Sequence, residues 1–131
     1  MNWLICGTDA HSKNYSLLLA GRQVRLAPLY DVASALPYPD MPIQKLRLAM
    51  KFGGSYFVTS RTPSMWPRVS KELGLPLDVV MEHAQSLMDR LPDAFADAAR
   101  EPSVAAVQSN LPSRLVDAVA DRIRQSRAET I

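Results

Sequence analysis

The chain has 131 residues and a mass of 14.5 kDa, with 47% apolar and 21% charged residues, the size and balance of one globular domain or a piece of a larger one. A single cysteine, Cys6, excludes an intrachain disulfide and a Cys-rich zinc site. The formal net charge of +2 conceals a division: residues 1–71 hold nine Lys/Arg against three Asp/Glu, and residues 72–131 hold six against ten, so the first half favours anionic partners.

The chain opens on an apolar run, Trp3-Leu4-Ile5, that reads as the end of a helix or a buried strand with nothing upstream to cover it. This start suggests a fragment, a truncated gene product or a chain that pairs with something else. A broad apolar face would then stand exposed and promote self-association. Cys6 sits beside apolar residues and reads as an inert buried thiol. Residues 7–14 are polar and loop-like. Residues 15–20 suit a strand, Gly21-Arg22 a turn and residues 23–26 a return strand, together a small hairpin. The prolines at 28, 37, 39 and 42 exclude regular helix there, because each removes a donor and clashes one turn back.

Residues 45–52 read as a strand or short helix, broken by Gly53-Gly54, and residues 56–62 as β-prone. Pro63-Ser64 starts a helix that runs to Leu73, with Gly74 as the residue just past its end. Pro76 fits the first turn of the next helix, in which Val80, Ala84, Leu87 and Leu91 form one apolar stripe. Pro92 ends or kinks that helix, and alanine-rich residues carry on to Arg100. Residues 101–103 are a break. A last helix from Pro112 buries Leu115, Val119 and Ile123. The methionines read as core filling, and Phe57 and Trp66 as buried anchors. No apolar run approaches the roughly 18–20 residues of a membrane span. The N-terminus lacks the regions of a signal peptide, so a cytoplasmic location without a membrane partner is expected.

The chemistry concentrates in Gly7-Thr8-Asp9-Ala10-His11-Ser12-Lys13-Asn14 and in Leu29-Tyr30-Asp31, on either side of the hairpin. Phosphoryl transfer needs a carboxylate to accept the proton of the attacking hydroxyl, and an amide and a second carboxylate to hold Mg²⁺. Protein kinases place the base Asp and the metal-binding Asn five residues apart, and a metal-binding Asp beyond a hairpin. Asp9, Asn14 and Asp31 reproduce that arrangement, and Lys13 could neutralise developing negative charge. Singly, each residue has a plainer role: Asp9 caps a turn, Asn14 satisfies its own loop, and Asp31 caps a helical turn over residues 32–36. The spacings together favour phosphoryl transfer. A metal-dependent hydrolase built on Asp9, His11 and Asp31 ranks last, because it needs those three side chains to converge.

Trp3-Leu4-Ile5, the Thr8–Ser16 block, Arg25-Leu26-Ala27-Pro28-Leu29-Tyr30-Asp31-Val32 and Leu48-Ala49-Met50 resemble the C-terminal lobe of HipA-type kinases. The resemblance covers nearly the whole chain. It implies a mainly α-helical, kinase-like lobe with a small β-hairpin carrying the catalytic loop and the metal-binding Asp. Residues 1–44 would form the catalytic loop, hairpin and metal-binding segment, and residues 45–131 a helical scaffold. The family comprises serine/threonine kinase toxins of toxin–antitoxin modules that phosphorylate proteins of the translation apparatus with ATP and Mg²⁺ and are restrained by a DNA-binding antitoxin. By this analogy Asp9 is the general base, and Asn14 and Asp31 are the Mg²⁺ ligands. His11, Lys13 and Tyr30 lie along the nucleotide phosphates. Lys51, Arg61, Arg68 and Lys71 would suit an approach to operator DNA.

Two departures stand out. Family members often carry Gly where Cys6 stands. No Gly-rich nucleotide loop precedes Asp9, so the expectation is a chain that lacks the N-terminal kinase lobe and is inactive alone. The competing expectation is a protein- or DNA-binding module with relic kinase residues.

Overall fold

The computed structural model describes residues 1–128. Residues 1–6 form a tight helix-like turn, with the N–H groups of Leu4 and Ile5 both donating to the Met1 carbonyl. A polar loop leads into the first antiparallel hairpin, β1 (Leu17–Ala20) and β2 (Gln23–Leu26), paired from Leu17↔Leu26 to Ala20↔Gln23. After the proline-rich stretch comes a second antiparallel hairpin, β3 (Arg47–Phe52) and β4 (Ser55–Phe57), with an irregular register between Arg47 and Phe52. Four helices follow: α1 (Met65–Leu73), α2 (Leu77–Arg100), α3 (Pro102–Ala105) and α4 (Leu111–Ala128). The segment expected to be a helical scaffold from residue 45 therefore begins with a hairpin. Period-two patterning produces it: Leu46 and Leu48 are buried while Arg47 and Ala49 are exposed.

One core joins the opening turn, the second hairpin and the helices α1, α2 and α4. Helices α2 and α4 pack lengthwise, burying Ala84, Met88 and Leu91 of the first with Val119 and Ile123 of the second, while Val80 is buried near Val69 and Leu73 of α1. Leu87 and Leu115 pack at the margin of this seam. The opening residues do not form the exposed face expected of them. Trp3, Leu4 and Ile5 are 4%, 3% and 1% exposed, inside the same core. Trp3 stacks on Phe52 with centroids 5.3 Å apart and meets Trp66 edge-on at 6.0 Å. The large exposed apolar surface lies instead on β1 and β2, where Leu17, Leu19, Val24 and Leu26 face water. Phe57, expected to be a buried anchor, is 46% exposed, and of the methionines only Met65 and Met88 are fully in the core. Among the described residues no helix is long and apolar enough to cross a membrane.

The helix punctuation follows the sequence at α1, where Gly74 takes the left-handed conformation (φ 66°) and its N–H closes the helix on the Lys71 and Ser70 carbonyls. At Pro92 it does not: α2 runs unbroken through the proline to Arg100. Proline cannot donate to the carbonyl four residues back, here that of Met88. The Arg127 guanidinium of α4 supplies the missing donor at 3.0 Å and also meets Asp89 Oδ1 at 2.5 Å. A second arginine of α4, Arg122, is buried, donates to the Val58 carbonyl at 2.7 Å and lies 5.0 Å over the Trp3 ring. Burial pulls its pKa below the ordinary arginine value.

Two predictions follow from these contacts. Arg127→Ala leaves the Met88 carbonyl short of a donor and should cost about 1 kcal/mol. In a Pro92→Ala background the restored N–H takes over that bond, so the loss should shrink. A urea double-mutant cycle reads the difference, and equal losses in both backgrounds would refute the compensation. The second concerns Cys6, which is fully buried. Burial raises its pKa, with Arg122 and Arg61 pulling it back less strongly. The stabilisation from a neutral buried thiol is complete below the unfolded pKa of about 8.5 and is lost as pH rises towards the folded value. Above about pH 8.5 the parent chain should lose stability relative to Cys6→Ala, and parallel urea curves across that range would contradict this.

Candidate functional site

The loop that follows the buried turn is held by a series of bonds from residues 27–35. At its root, Ala35 N–H donates to the Cys6 carbonyl at 3.1 Å and Ser34 Oγ to the Ile5 carbonyl at 2.6 Å. Cys6 itself has φ 52°, a conformation costing an L-residue roughly 1–2 kcal/mol. That backbone requirement gives a physical reason for a glycine there. The turn swings the chain out of the core into Gly7, where a Cβ would approach the Ala33 carbonyl to 3.2 Å and Asn2 Oδ1 to 3.0 Å.

Residues 8–16 then fold back on themselves. His11 N–H donates to the Asp9 carbonyl at 2.8 Å, and Asn14 N–H to the His11 carbonyl at 3.0 Å, closing a 3₁₀ turn over Ser12–Asn14. Asp9, His11 and Lys13 project from it, all exposed. Asn14 is the one residue of this turn that points inward, and it is 6% exposed. Its amide nitrogen donates to Asp31 Oδ2 at 2.8 Å. The direction is fixed by chemistry, since a carboxylate only accepts. Asn14 Oδ1 is thereby left buried with no hydrogen-bond partner.

Tyr30 ties the same two segments together. Its hydroxyl donates to the Lys13 carbonyl at 2.8 Å, and Ser16 Oγ lies 2.9 Å away. With the one phenolic proton committed to Lys13, Ser16 is the donor in the second bond. Ala27 N–H closes the base of the hairpin onto the Ser16 carbonyl at 2.8 Å. Asn2 reaches in from the opening turn and donates to the Tyr15 hydroxyl at 2.8 Å. Asp31 has φ 54°, so it turns the chain in a left-handed step and does not cap a helical turn at residues 32–36, which are irregular. Such backbone outliers concentrate at functional sites, where the surroundings hold them.

The structure thus brings Asn14 and Asp31 into contact, seats Tyr30 beside Lys13, and leaves Asp9, His11 and Lys13 at the rim. A shallow crevice lined by Asn2, Ala10, Asn14, Tyr30 and Asp31 opens between the loop and the extended segment. Beside it, a groove of about 170 Å³ runs between Gly7, Ala10 and Tyr15 on one side and Leu48, Met50 and Lys51 of β3 on the other. Among the described residues no group of three His, Cys, Asp or Glu side chains could hold a metal ion, so the convergence needed by a hydrolase site at Asp9, His11 and Asp31 is missing. Sequence reasoning did not find Asn2, Ser16 and Ser34, which brace the loop. Each is a lone small polar residue, and its role exists only through partners 13 to 29 positions away.

A helical lobe whose polar loop is clamped, Asn to Asp, to a segment beyond a hairpin has recognisable relatives. The model of the HipA-like C-terminal domain matches residues 1–99, and the chain belongs to that family. The putative kinase Y4mE of Sinorhizobium fredii is 29% identical over 126 residues, 96% of this chain and 29% of that protein. The serine/threonine-protein kinase toxin HipA of Shewanella oneidensis is 29% identical over 96 residues, covering 73% and 22% respectively. A solved chain from the Shewanella oneidensis MR-1 complex of HipA, HipB and operator DNA superimposes with a TM-score of 0.73 at 22% identity, covering 95% of this chain and 29% of that one. The chain spans under a third of the length of these relatives.

The clamp makes its own prediction. Tyr30→Phe removes both hydroxyl bonds and should cost about 1–2 kcal/mol, with faster amide exchange confined to residues 12–16. Unchanged exchange there would show that Tyr30 does not hold the loop.

Proposed function

We propose that the chain is the catalytic C-terminal lobe of a HipA-like serine/threonine protein kinase, and that it works only together with a nucleotide-binding lobe. The observation that carries the reading is the Asn14–Asp31 pair. One side-chain amide spends its nitrogen on the carboxylate and keeps a buried oxygen without a partner. An orphaned buried acceptor costs about 1–3 kcal/mol, and a hard cation shared with the neighbouring carboxylate would remove this cost. Asn14 Oδ1 and the Asp31 carboxylate fit Mg²⁺, which favours oxygen donors. When bound, that ion would neutralise charge on the nucleotide phosphates.

The remaining roles follow from position. Asp9, exposed at the rim, is assigned as the base that accepts the proton of the substrate hydroxyl. Lys13 and His11 stand on the same turn and would meet the phosphates as cation and donor. Tyr30 lies beside them, and with its proton committed to the Lys13 carbonyl it acts by positioning the loop. ATP is the expected nucleotide and a protein the expected acceptor. The relative from Shewanella is a toxin described with HipB and operator DNA, and by analogy this chain would answer to a DNA-binding antitoxin. A second reading, a protein- or DNA-binding module with relic kinase residues, is supported by the exposed apolar face of β1 and β2, which would also serve self-association.

A chimera separates the two readings. Replacing the matching part of the Shewanella HipA kinase by this chain should keep ATP- and Mg²⁺-dependent phosphorylation. Asp9→Asn or Asp31→Asn in the chimera should reduce it by at least about 100-fold. The isolated chain should show no micromolar ATP affinity by calorimetry. A folded chimera that binds nucleotide but transfers no phosphate would refute the kinase reading.

A further inference from the structure

Residues 41–71 contain six Lys/Arg and no Asp or Glu. The second hairpin displays part of that charge on one surface. Alternation along β3 turns Leu48 inward and Arg47 and Lys51 outward. The strand that pairs with it exposes Tyr56 (37%) and Phe57 (46%). The Arg47 guanidinium carbon lies 5.0 Å from the Phe57 ring centroid and 5.6 Å from that of Tyr56, and Lys51 Nζ lies 5.4 Å from the Tyr56 ring. At the hairpin tip a Cβ on Gly54 would fall 2.5 Å from Arg68 Nη1, which places a third cation at the end of the same ribbon. Cations and aromatic rings therefore lie against one another on a short exposed strand pair.

We propose that this face of β3–β4 binds single-stranded RNA. The cations match a phosphate backbone in charge. The rings, and the planar guanidinium of Arg47, offer surfaces on which unpaired bases stack. A duplex keeps its base faces inside the stack and would leave the rings unused, and an acidic polypeptide would use the charges alone. The Tyr56 hydroxyl adds a group able to hydrogen-bond a ribose 2′-OH. This surface lies outside the Asn14–Asp31 pair, and the inference stands independently of the kinase reading.

The test is fluorescence anisotropy of the whole 131-residue chain with a labelled oligouridylate across a salt series. Oligothymidylate, duplex DNA and polyglutamate serve as parallel probes. Oligouridylate should bind best, with a slope of log K against log salt of about −2 for three cations. Tyr56→Ala and Phe57→Ala should each weaken binding roughly five- to hundredfold and leave the slope unchanged. Arg47→Ala and Lys51→Ala should each reduce the slope by about 0.7. Tyr56→Phe keeps the ring and should retain most of the affinity, which separates stacking from misfolding. No binding at low salt overturns the proposal. So does equal or tighter binding of oligothymidylate, duplex DNA or polyglutamate, or indifference to both ring deletions.

Discussion

Trp3, Leu4, Ile5 and Cys6 leave water almost completely, and the polar loop is aimed by that burial. Each large apolar side chain so removed contributes roughly 1.5–3 kcal/mol, enough together to hold Cys6 in its left-handed step and still leave a surplus. The step turns the chain from the core to the surface within one residue. It also presents the Ile5 and Cys6 carbonyls to Ser34 and Ala35, so the segment carrying Asp31 is pinned to the root of the loop carrying Asn14. The Asn14–Asp31 contact is therefore a product of core packing as much as of its own hydrogen bond. Arg122 extends the same constraint to the last helix. It lies over Trp3 and donates to the Val58 carbonyl, joining the opening turn, the end of the second hairpin and α4.

The two hairpins have opposite surface characters. The first is apolar on exposed positions of both strands, a surface that in an isolated lobe invites a covering partner. The second has a proper inside and outside, with Leu48 turned to the core and Arg47 and Lys51 turned to water. A groove joins the second hairpin to the candidate site, because Lys51 and Met50 line it together with Gly7 and Ala10.

Much of this was legible in the residues themselves. The hairpin strands within residues 15–20 and at 23–26, Gly74 as a helix stop, and the apolar stripe of α2 follow from local rules of turn and period. The Asp9, Asn14 and Asp31 spacing pointed to one loop and one segment beyond a hairpin, and two of those three side chains meet. What local rules missed was decided by distant partners. Pro92 reads as a helix breaker because its effect on the Met88 carbonyl is local, whereas the remedy comes from Arg127, 39 residues from Met88. Trp3 to Ile5 read as uncovered because their cover comes from α2, α4 and β3, all later in the chain. Phe57 reads as a core residue by its hydrophobicity. Its exposure follows from the three-residue length of β4 and the irregular pairing that sets Phe57 opposite Arg47.

The polar residues divide along the same line. A hydrogen-bonding side chain in an exposed loop costs little to leave solvated, so neither sequence nor burial marks it as functional. Asn14 is different, because it has been taken out of water and only one of its two polar atoms has been satisfied. Folding alone offers no gain from that arrangement. An apolar residue would avoid the cost, and a shift of the amide could not satisfy both atoms against one acceptor-only carboxylate. The proposed cation, shared with Asp31, would satisfy the buried oxygen. Asn14 Oδ1 and the Asp31 carboxylate are therefore the two groups that the proposed cation would share.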